Sequence, residues 1–113
     1  MVITNDFKNR VRDLIIADIG NGAHGTDGTT PTITDVDLGA KVVGSEKAVE
    51  KDIGNKMINI THKLLPTEAN GETLKEFAMY CDSNGTMVNR VVYPDFEKNS
   101  TIELQTITTM RIN

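Results

Sequence analysis

The sequence predicts a mainly β protein, a small antiparallel β-sandwich with one N-terminal amphipathic α-helix. Two observations lead to this fold class. Five stretches within residues 40–112 alternate in polarity or are rich in β-forming residues, and turn-forming residues separate them. Only residues 6–19 have apolar residues at helical spacing, so strands and helices do not alternate as they do around a parallel sheet. Because the chain has 113 residues, we expect a single domain over residues 1–113.

The helix is predicted over residues 6–19. Its apolar residues recur at the spacing of one helical face, and oxygens of residues 4–6 can cap its first turn. Gly20-Asn21-Gly22 is expected to end it, since both residue types accept a left-handed conformation. The apolar face requires a partner. We expect the sheet of the same domain, with the same helix of a second subunit as the alternative. The residues of this face are Phe7, Val11, Leu14, Ile15 and Ile19.

Residues 20–39 are predicted to form a long loop, because they are rich in glycine and threonine and have no apolar period. Loops of this length are usually functional, so His24 and Asp27 become candidate contact residues. Residues 20–25 match the pattern G-x-G-x-x-G, but they follow a helix instead of joining a strand to one, so dinucleotide binding is not expected. His24 and Asp27 supply only half a metal site, and we expect neither a metal nor a cofactor.

The strands are predicted at residues 40–50, 56–65 and 101–112 and in a hairpin over residues 74–93. Asp82 to Gly85 supply the hairpin turn. Neither arm of the hairpin has one purely polar face, which indicates a central position with both faces covered. Residues 66–72 and 94–100 are expected to be loops. His62 alternates with Ile58, Ile60 and Leu64, which predicts a hydrogen-bonded, half-buried histidine.

Composition argues against several classes of function. The net charge of −4 and the aromatic content of 4% do not suit a nucleic-acid partner. We expect no membrane span and no signal peptide, because no long apolar run is present. The single cysteine, Cys81, cannot form an internal disulfide and is expected to be a buried, inert thiol. No catalytic signature is present, so an enzyme is not expected; a small enzyme with Cys81 as nucleophile remains an alternative.

The order of several short motifs is more specific than any one of them. The first half of the chain contains Gly25-Thr-Asp-Gly28-Thr-Thr-Pro31 and then Thr34-Asp-Val-Asp-Leu-Gly39. The second half contains Asn70-Gly71, Glu76 near the start of a strand, the turn Gly85-Thr86-Met87, and Arg90 on the next strand. Over residues 10–112, this order resembles a module of small structural proteins of tailed bacterial or archaeal viruses.

The resemblance implies a component of the virion, of tail-fibre, baseplate or head-decoration type, without enzymatic activity. Such modules bind other virion proteins and commonly self-associate, and we expect three subunits by analogy with fibre and decoration proteins. A short strand that usually follows the helix in these relatives is expected to be missing or reduced to residues 15–19. The glycines at motif positions are expected to meet backbone requirements: Gly28, Gly39, Gly71 and Gly85.

Arg90 is expected to form a salt bridge or an interface contact. The candidate interface residues are therefore Phe7, Val11, Leu14, Ile15, His24, Asp27 and Arg90. A carbohydrate- or receptor-binding module of a virus particle is the other alternative, and exposed aromatic rings at Tyr93 and Phe96 would support it.

Overall fold

The computed structural model describes residues 1–54 and 57–111 and is mainly β, with one N-terminal helix and two antiparallel sheets. The first sheet has the order β2-β1-β5-β6 and the second the order β3-β4-β7. The predicted fold class is confirmed. The elements are α1 (Asn5–Asp18), β1 (Ile19–Gly25), β2 (Lys47–Ala48), β3 (Glu50–Ile53), β4 (Met57–Leu64), β5 (Thr73–Cys81), β6 (Met87–Glu97) and β7 (Leu104–Arg111).

The predicted hairpin forms β5 and β6. Its first arm is central as predicted, but the prediction was wrong for the second arm, because β6 is an edge strand. β5 pairs with β1 on one side and with β6 on the other. Every residue of β5 from Glu76 to Tyr80 is buried, so both faces of the strand are covered. The turn between the arms includes Gly85 at φ +71°, a conformation that glycine adopts without strain.

The core lies between the two sheets. Phe77 and Met79 of β5 pack against Ile58 and Ile60 of β4, and two residues near the junction of α1 and β1, Ile16 and Ile19, join the same cluster. Two smaller clusters extend it, one around Ala78 and Tyr80 and the other around Leu64 and Leu74. Ile, Leu, Met and Phe therefore supply most of the packing that holds the sandwich closed.

The helix has the predicted N-terminal cap but a different buried face. The Thr4 hydroxyl accepts a hydrogen bond from the N–H of Phe7 at 3.3 Å. Ile16 is the buried residue of α1, and the predicted stripe is largely exposed, with Phe7 and Leu14 at 57% and 56%. The expectation that the protein's own sheet covers this stripe was wrong. The stripe stays exposed because α1 continues directly into β1. This connection orients the helix so that Ile16 packs in the core.

The predicted loop over residues 20–39 begins with a strand, so this prediction was wrong for residues 20–25. The same strand, β1, also contradicts the expectation that the strand after the helix is missing or reduced to residues 15–19. After Ile19, its sequence, IGNGAHG, lacks the usual β-forming residues. Glycine is nonetheless required at Gly22, because a Cβ there would lie 2.9 Å from the ring of His62 and 3.0 Å from that of Phe77. Close packing between the sheets selects glycine in this strand.

Other boundaries differ from the sequence prediction. The region 40–50 contains an isolated bridge at Lys41, β2 and the start of β3 instead of one strand. β6 continues to Glu97 and includes Pro94, which the sequence predicts to lie in a loop. A strand can contain this proline because β6 is at the edge of the sheet and Pro94 lies where the register between β5 and β6 shifts. The N–H group that proline lacks is therefore not needed for regular strand pairing. Lys56 and Ile112, which the sequence places in strands, lie outside the described residues, as does Asn55, which is predicted to form a turn with Gly54.

Candidate functional site

A buried carboxylate on β5 organises the long loop between β1 and β2. Glu76 is 0% exposed. Its oxygens accept hydrogen bonds from the backbone N–H groups of Asp27 at 3.0 Å, Gly39 at 2.9 Å and Ala40 at 2.9 Å. The start of the loop and a segment farther along it are therefore bound to the same side chain, which satisfies three backbone N–H groups of the loop.

Arg90 completes this contact from the neighbouring strand, β6. Its Nε donates to Glu76 at 2.8 Å, and its side chain is 5% exposed. The remaining nitrogens donate to the carbonyl oxygens of Thr29 at 2.9 Å and Asp27 at 3.2 Å and to the carboxylate of Asp35 at 3.2 Å. One guanidinium thus holds three separate points of the loop. We call Glu76, Arg90, Asp27 and Asp35 the loop clamp.

The charges of the clamp stabilise each other. Burial raises the pKa of Glu76, but the hydrogen bonds from Arg90 and from the three loop N–H groups outweigh burial and hold it below the ordinary value. The hydrogen bond to Glu76 raises the pKa of Arg90. Both groups are therefore charged across the physiological range, and neither has the shifted pKa that general acid or base chemistry near neutral pH requires.

Two short turns shape the loop on either side of the clamp. The Asp27 carboxylate accepts hydrogen bonds from the N–H and the hydroxyl of Thr29, at 2.9 and 2.6 Å. Asp35 accepts the equivalent pair from Thr32, at 3.0 Å each. These bonds lower the pKa of both aspartates. The Asp and Thr residues thus form local turns within the loop, and Arg90 links these turns to the sheet.

A third contact holds the end of the loop. The Tyr80 hydroxyl donates to the Asp37 carboxylate at 2.6 Å, and the Lys41 ammonium lies 4.6 Å from the centre of the Tyr80 ring. Burial and the hydrogen bond to Asp37 raise the pKa of Tyr80. Tyr80 therefore stays protonated and acts as a hydrogen-bond donor.

Two histidines lie in contact between the sheets. The ring centres of His24 on β1 and His62 on β4 are 5.0 Å apart, and both rings pack on Phe77. His24 contacts the Tyr93 hydroxyl at 2.7 Å through Nδ1 and the Thr106 hydroxyl at 3.1 Å through Nε2. His62 contacts the carbonyl oxygen of Ser45 at 2.9 Å through Nε2.

Burial and the neighbouring His62 lower the pKa of His24 to about 3. Burial also lowers the pKa of His62. Both rings are therefore neutral at physiological pH. Their contacts with both sheets indicate a role in joining the two halves of the sandwich.

The predicted site residues divide into three groups. Arg90 and Asp27 lie together in the loop clamp, and Arg90 forms the predicted salt bridge. His24 is 1% exposed, so its prediction as an interface residue was wrong: β1 turns the side chain between the sheets. The helix residues Phe7, Val11, Leu14 and Ile15 are exposed, and their role in an interface stays a prediction. The backbone requirement predicted at Gly28 was also wrong, because a Cβ there would lie in ordinary contact, 3.6 Å from the Lys75 side chain.

Sequence reasoning missed Glu76 and Asp35 as site residues. Glu76 lies between Phe77 and Lys75 in a strand that the sequence predicts to be covered on both faces, so a charged side chain there requires a buried partner. That signal was present. Asp35 lies in the motif from Thr34 to Gly39, but an aspartate in a Thr-rich loop is ordinary turn chemistry, so the motif did not identify its contact with Arg90.

The alternatives find little support in the site geometry. Tyr93 and Phe96 are half-buried residues of β6 and do not stand exposed at a loop end. Cys81 is half-buried, not fully buried as predicted, and burial raises the pKa of its thiol. The described part of the chain has no group of three or more His, Cys, Asp or Glu side chains placed to bind a metal ion. None of the helices in that part has the length and apolar character that crossing a membrane requires.

Comparison of the chain with protein-family models, with curated proteins and with solved structures gave no match.

Proposed function

We propose that this protein is a structural component of a tailed bacterial or archaeal virus particle, of tail-fibre, baseplate or head-decoration type, which binds other virion proteins and self-associates. One observation carries the proposal. Motif residues from both halves of the chain, Asp27, Gly39, Glu76 and Arg90, meet in the loop clamp. Motifs that resemble the virion module only by order and spacing are thus parts of one three-dimensional unit.

The chemistry of the clamp supports a binding role without catalysis. Glu76 accepts hydrogen bonds from three N–H groups and from Arg90, and the Arg90 side chain contacts three parts of the loop. Groups that are saturated in this way hold a loop in one conformation. A loop that is presented rigidly on a sandwich suits recognition of another protein, because less conformational entropy is lost on binding.

The exposed face of α1 supports self-association. Phe7, Leu14 and Ile15 are 57%, 56% and 43% exposed and lie next to one another on the helix. A groove of about 380 Å³ continues this face toward the hairpin and is lined by Leu14, Ile15, Asp18, Ile19, Cys81, Thr86, Met87 and Val88. Apolar residues that are grouped on one face in this way, instead of scattered singly, are typical of an interaction site.

The test is the location of the protein in a culture that produces the virus encoding it. Particles are purified on a density gradient, washed in high salt, and analysed by quantitative mass spectrometry and by immunogold electron microscopy with an antibody against this chain. We expect the chain to remain with the particles at a fixed ratio to the other virion proteins and the gold to label one part of the particle. A chain that stays in the soluble fraction of the lysate would contradict the proposal.

A further inference from the structure

The four edge strands of the two sheets differ in how they are protected against pairing. β2 has only two residues, and β3 is short and carries Glu50, Lys51 and Asp52. β6 carries Pro94, Asp95 and Glu97 and a register shift. Short length, charge, proline and irregular register are the features by which proteins prevent pairing of sheet edges. Three of the four edges therefore have such protection.

β7 is the exception. It has eight residues, Leu104 to Arg111, and its first seven contain neither a charged residue nor a proline. It pairs with β4 in an unbroken register from Leu104 to Arg111. Among the described residues, no other strand pairs with it and no backbone hydrogen bond joins it to a loop. Its other edge presents a regular row of N–H and C=O groups to a partner.

We propose that β7 pairs with β7 of a second copy of this chain, antiparallel and across a two-fold axis at Ile107. The proposal deepens the self-association included in the proposed function. The two subunits would then share one continuous sheet, in the order β3-β4-β7-β7-β4-β3. Each subunit has one such edge, so this contact closes after two copies and cannot by itself extend into a fibre.

The register follows from the faces of the strand. Residues 104, 106, 108 and 110 are half-buried and the alternate residues are exposed. We call the half-buried residues inner residues. When two copies of the strand pair across a two-fold axis, inner residues lie opposite inner residues only if the axis passes through a residue, because side chains alternate between the two faces of the strand. With the axis at Ile107, the inner pairs are Leu104 with Met110 and Thr106 with Thr108. Ile107 lies opposite its own copy.

Charge selects this register among the allowed ones. With the axis at Ile107, Glu103 of one subunit lies opposite Arg111 of the partner subunit, and the symmetry produces this pair twice. A shift of the axis to Thr108 would place Gln105 opposite Arg111 and would lose both pairs. Opposite charges across neighbouring strands are favourable, so the only charged residues in the paired segment complement each other.

A cavity beside β7 would gain cover from the contact. It has a volume of about 350 Å³ and is lined by His24, Tyr93, Pro94, Phe96, Leu104, Gln105, Thr106 and Ile107. In the proposed register, Met110 of the partner subunit is opposite Leu104, at the end of the strand where this cavity lies. Apolar burial there would add to the backbone hydrogen bonds of the shared sheet.

The first test is a cross-link at the axis. Ile107→Cys would bring two thiols face to face, because Cα atoms of directly opposed residues lie about 4.5–5.5 Å apart and a disulfide spans that distance. Ile53→Cys is the matched control, since Ile53 has a similar exposure, 54% against 60%, on the opposite edge of the same sheet. Under mild oxidation we expect at least tenfold more covalent dimer with Ile107→Cys than with Ile53→Cys or with the parent protein, which contains Cys81.

The second test uses charge. Light scattering over a concentration range should show that Glu103→Arg and Arg111→Glu each weaken the β7 contact at least tenfold and that the double variant recovers it. Ile107→Lys should weaken it at least as much, and Ile53→Lys should not. Thermal unfolding of each variant checks that it is folded.

This inference would be overturned if the protein self-associates, none of the β7 variants changes that self-association, and Ile107→Cys gives no excess of covalent dimer. The self-association included in the proposed function would then still stand. A parent protein that is monomeric at every concentration would overturn both. A closed trimer would favour the three-fold association that the resemblance implies and would overturn the two-fold contact.

Discussion

Glu76 is the residue on which the loop between β1 and β2 depends. Glu76→Gln keeps the shape of the side chain, removes its charge and turns an amide nitrogen toward N–H donors. The Arg90 guanidinium, 5% exposed, would then lack its closest carboxylate. Asp35 would still face the guanidinium at 3.2 Å, so the change removes buried hydrogen bonds to a charged group but leaves no unpaired charge. We therefore expect the free energy of unfolding to fall by about 1–3 kcal/mol, measured by urea denaturation.

Asp95→Asn is the matched control for this change. Asp95 and Lys75 form a pair at 3.8 Å, with side chains 65% and 37% exposed. Exposed pairs contribute at most about 1 kcal/mol, so the control should unfold nearly as the parent does. Equal effects of the two substitutions would show that the buried pair does not stabilise the fold. Hydrogen exchange should also locate the effect of Glu76→Gln at the N–H groups of Asp27, Gly39 and Ala40.

The two histidines give a second prediction at the scale of the residue. Their pKa values are lowered in the folded protein from the ordinary value of 6.5, to about 3 for His24. The unfolded chain therefore binds protons first as the pH falls below 6.5, and the stability present above that pH is progressively lost toward pH 3. His24 should lower the free energy of unfolding by up to about 1.4 kcal/mol per pH unit in this interval, and His62 should add to the loss as the pH falls below 6.5.

The interval from pH 6.5 to 4.5 isolates this effect. The clamp carboxylates also have lowered pKa values, but their unfolded values are 4.5 for Glu76 and 3.8 for Asp27 and Asp35, so they reduce stability only in more acidic solution. His24→Gln and His62→Gln should each flatten the pH dependence of urea unfolding between pH 6.5 and 4.5. A parent protein whose stability is constant over that interval would contradict the prediction.

At the scale of the element, β1 shows what the sequence could and could not reveal. The helix and β4 were predictable, because their apolar residues recur with the period of the structure they form. The hairpin was predictable because turn-forming residues separate two runs that are rich in β-forming residues. β1 was not predictable, because glycines occupy the positions at which other residues approach its backbone closely. The clamp was half predictable: Arg90 was identified, but its partner Glu76 became a site residue only through the meeting of β5, β6 and the loop.

Gly25 and Gly28 provide a matched test of this close approach. A Cβ on Gly25 would lie 2.6 Å from the carbonyl oxygen of Ala40 and would also clash with the Glu76 carboxylate, whereas a Cβ on Gly28 would first meet the Lys75 side chain at 3.6 Å. Gly25→Ala should therefore destabilise the protein by about 1–3 kcal/mol, as overpacking does, and Gly28→Ala by much less. Thermal unfolding measures both. Similar melting temperatures for the two variants would show that the loop does not pack tightly on β5.

At the scale of the whole molecule, sequence patterns predict a sandwich but not which of its surfaces remain without a partner. The apolar spacing of α1 predicts a buried face without saying what buries it, and the helix turns Ile16 inward and leaves Phe7 and Leu14 exposed. The uncharged stretch at residues 104–110 is visible in the sequence. Its position at the unprotected edge follows only from the order of the strands in the sheet. That order depends on pairing between segments that are far apart in the sequence.

These two surfaces should act independently, because α1 is fixed to β1 and the hairpin turn while β7 contacts its own sheet at β4. Phe7→Glu places a charge on the exposed helix face, and an acidic residue in the first turn of a helix does not disturb the helix itself. Ile107→Lys places like charges at the proposed two-fold axis. Light scattering of the parent, each variant and the double variant, over one concentration series, separates the contacts.

We expect the parent to form assemblies larger than a dimer, because two different contacts on one subunit connect more than two copies. Assembly of the Phe7→Glu variant should stop at the β7 dimer, and assembly of the Ile107→Lys variant should stop at the oligomer that α1 forms. The double variant should be monomeric. A single variant that is already monomeric would show that the two surfaces belong to one contact. A double variant that assembles as the parent does would show that the self-association of this protein uses neither surface.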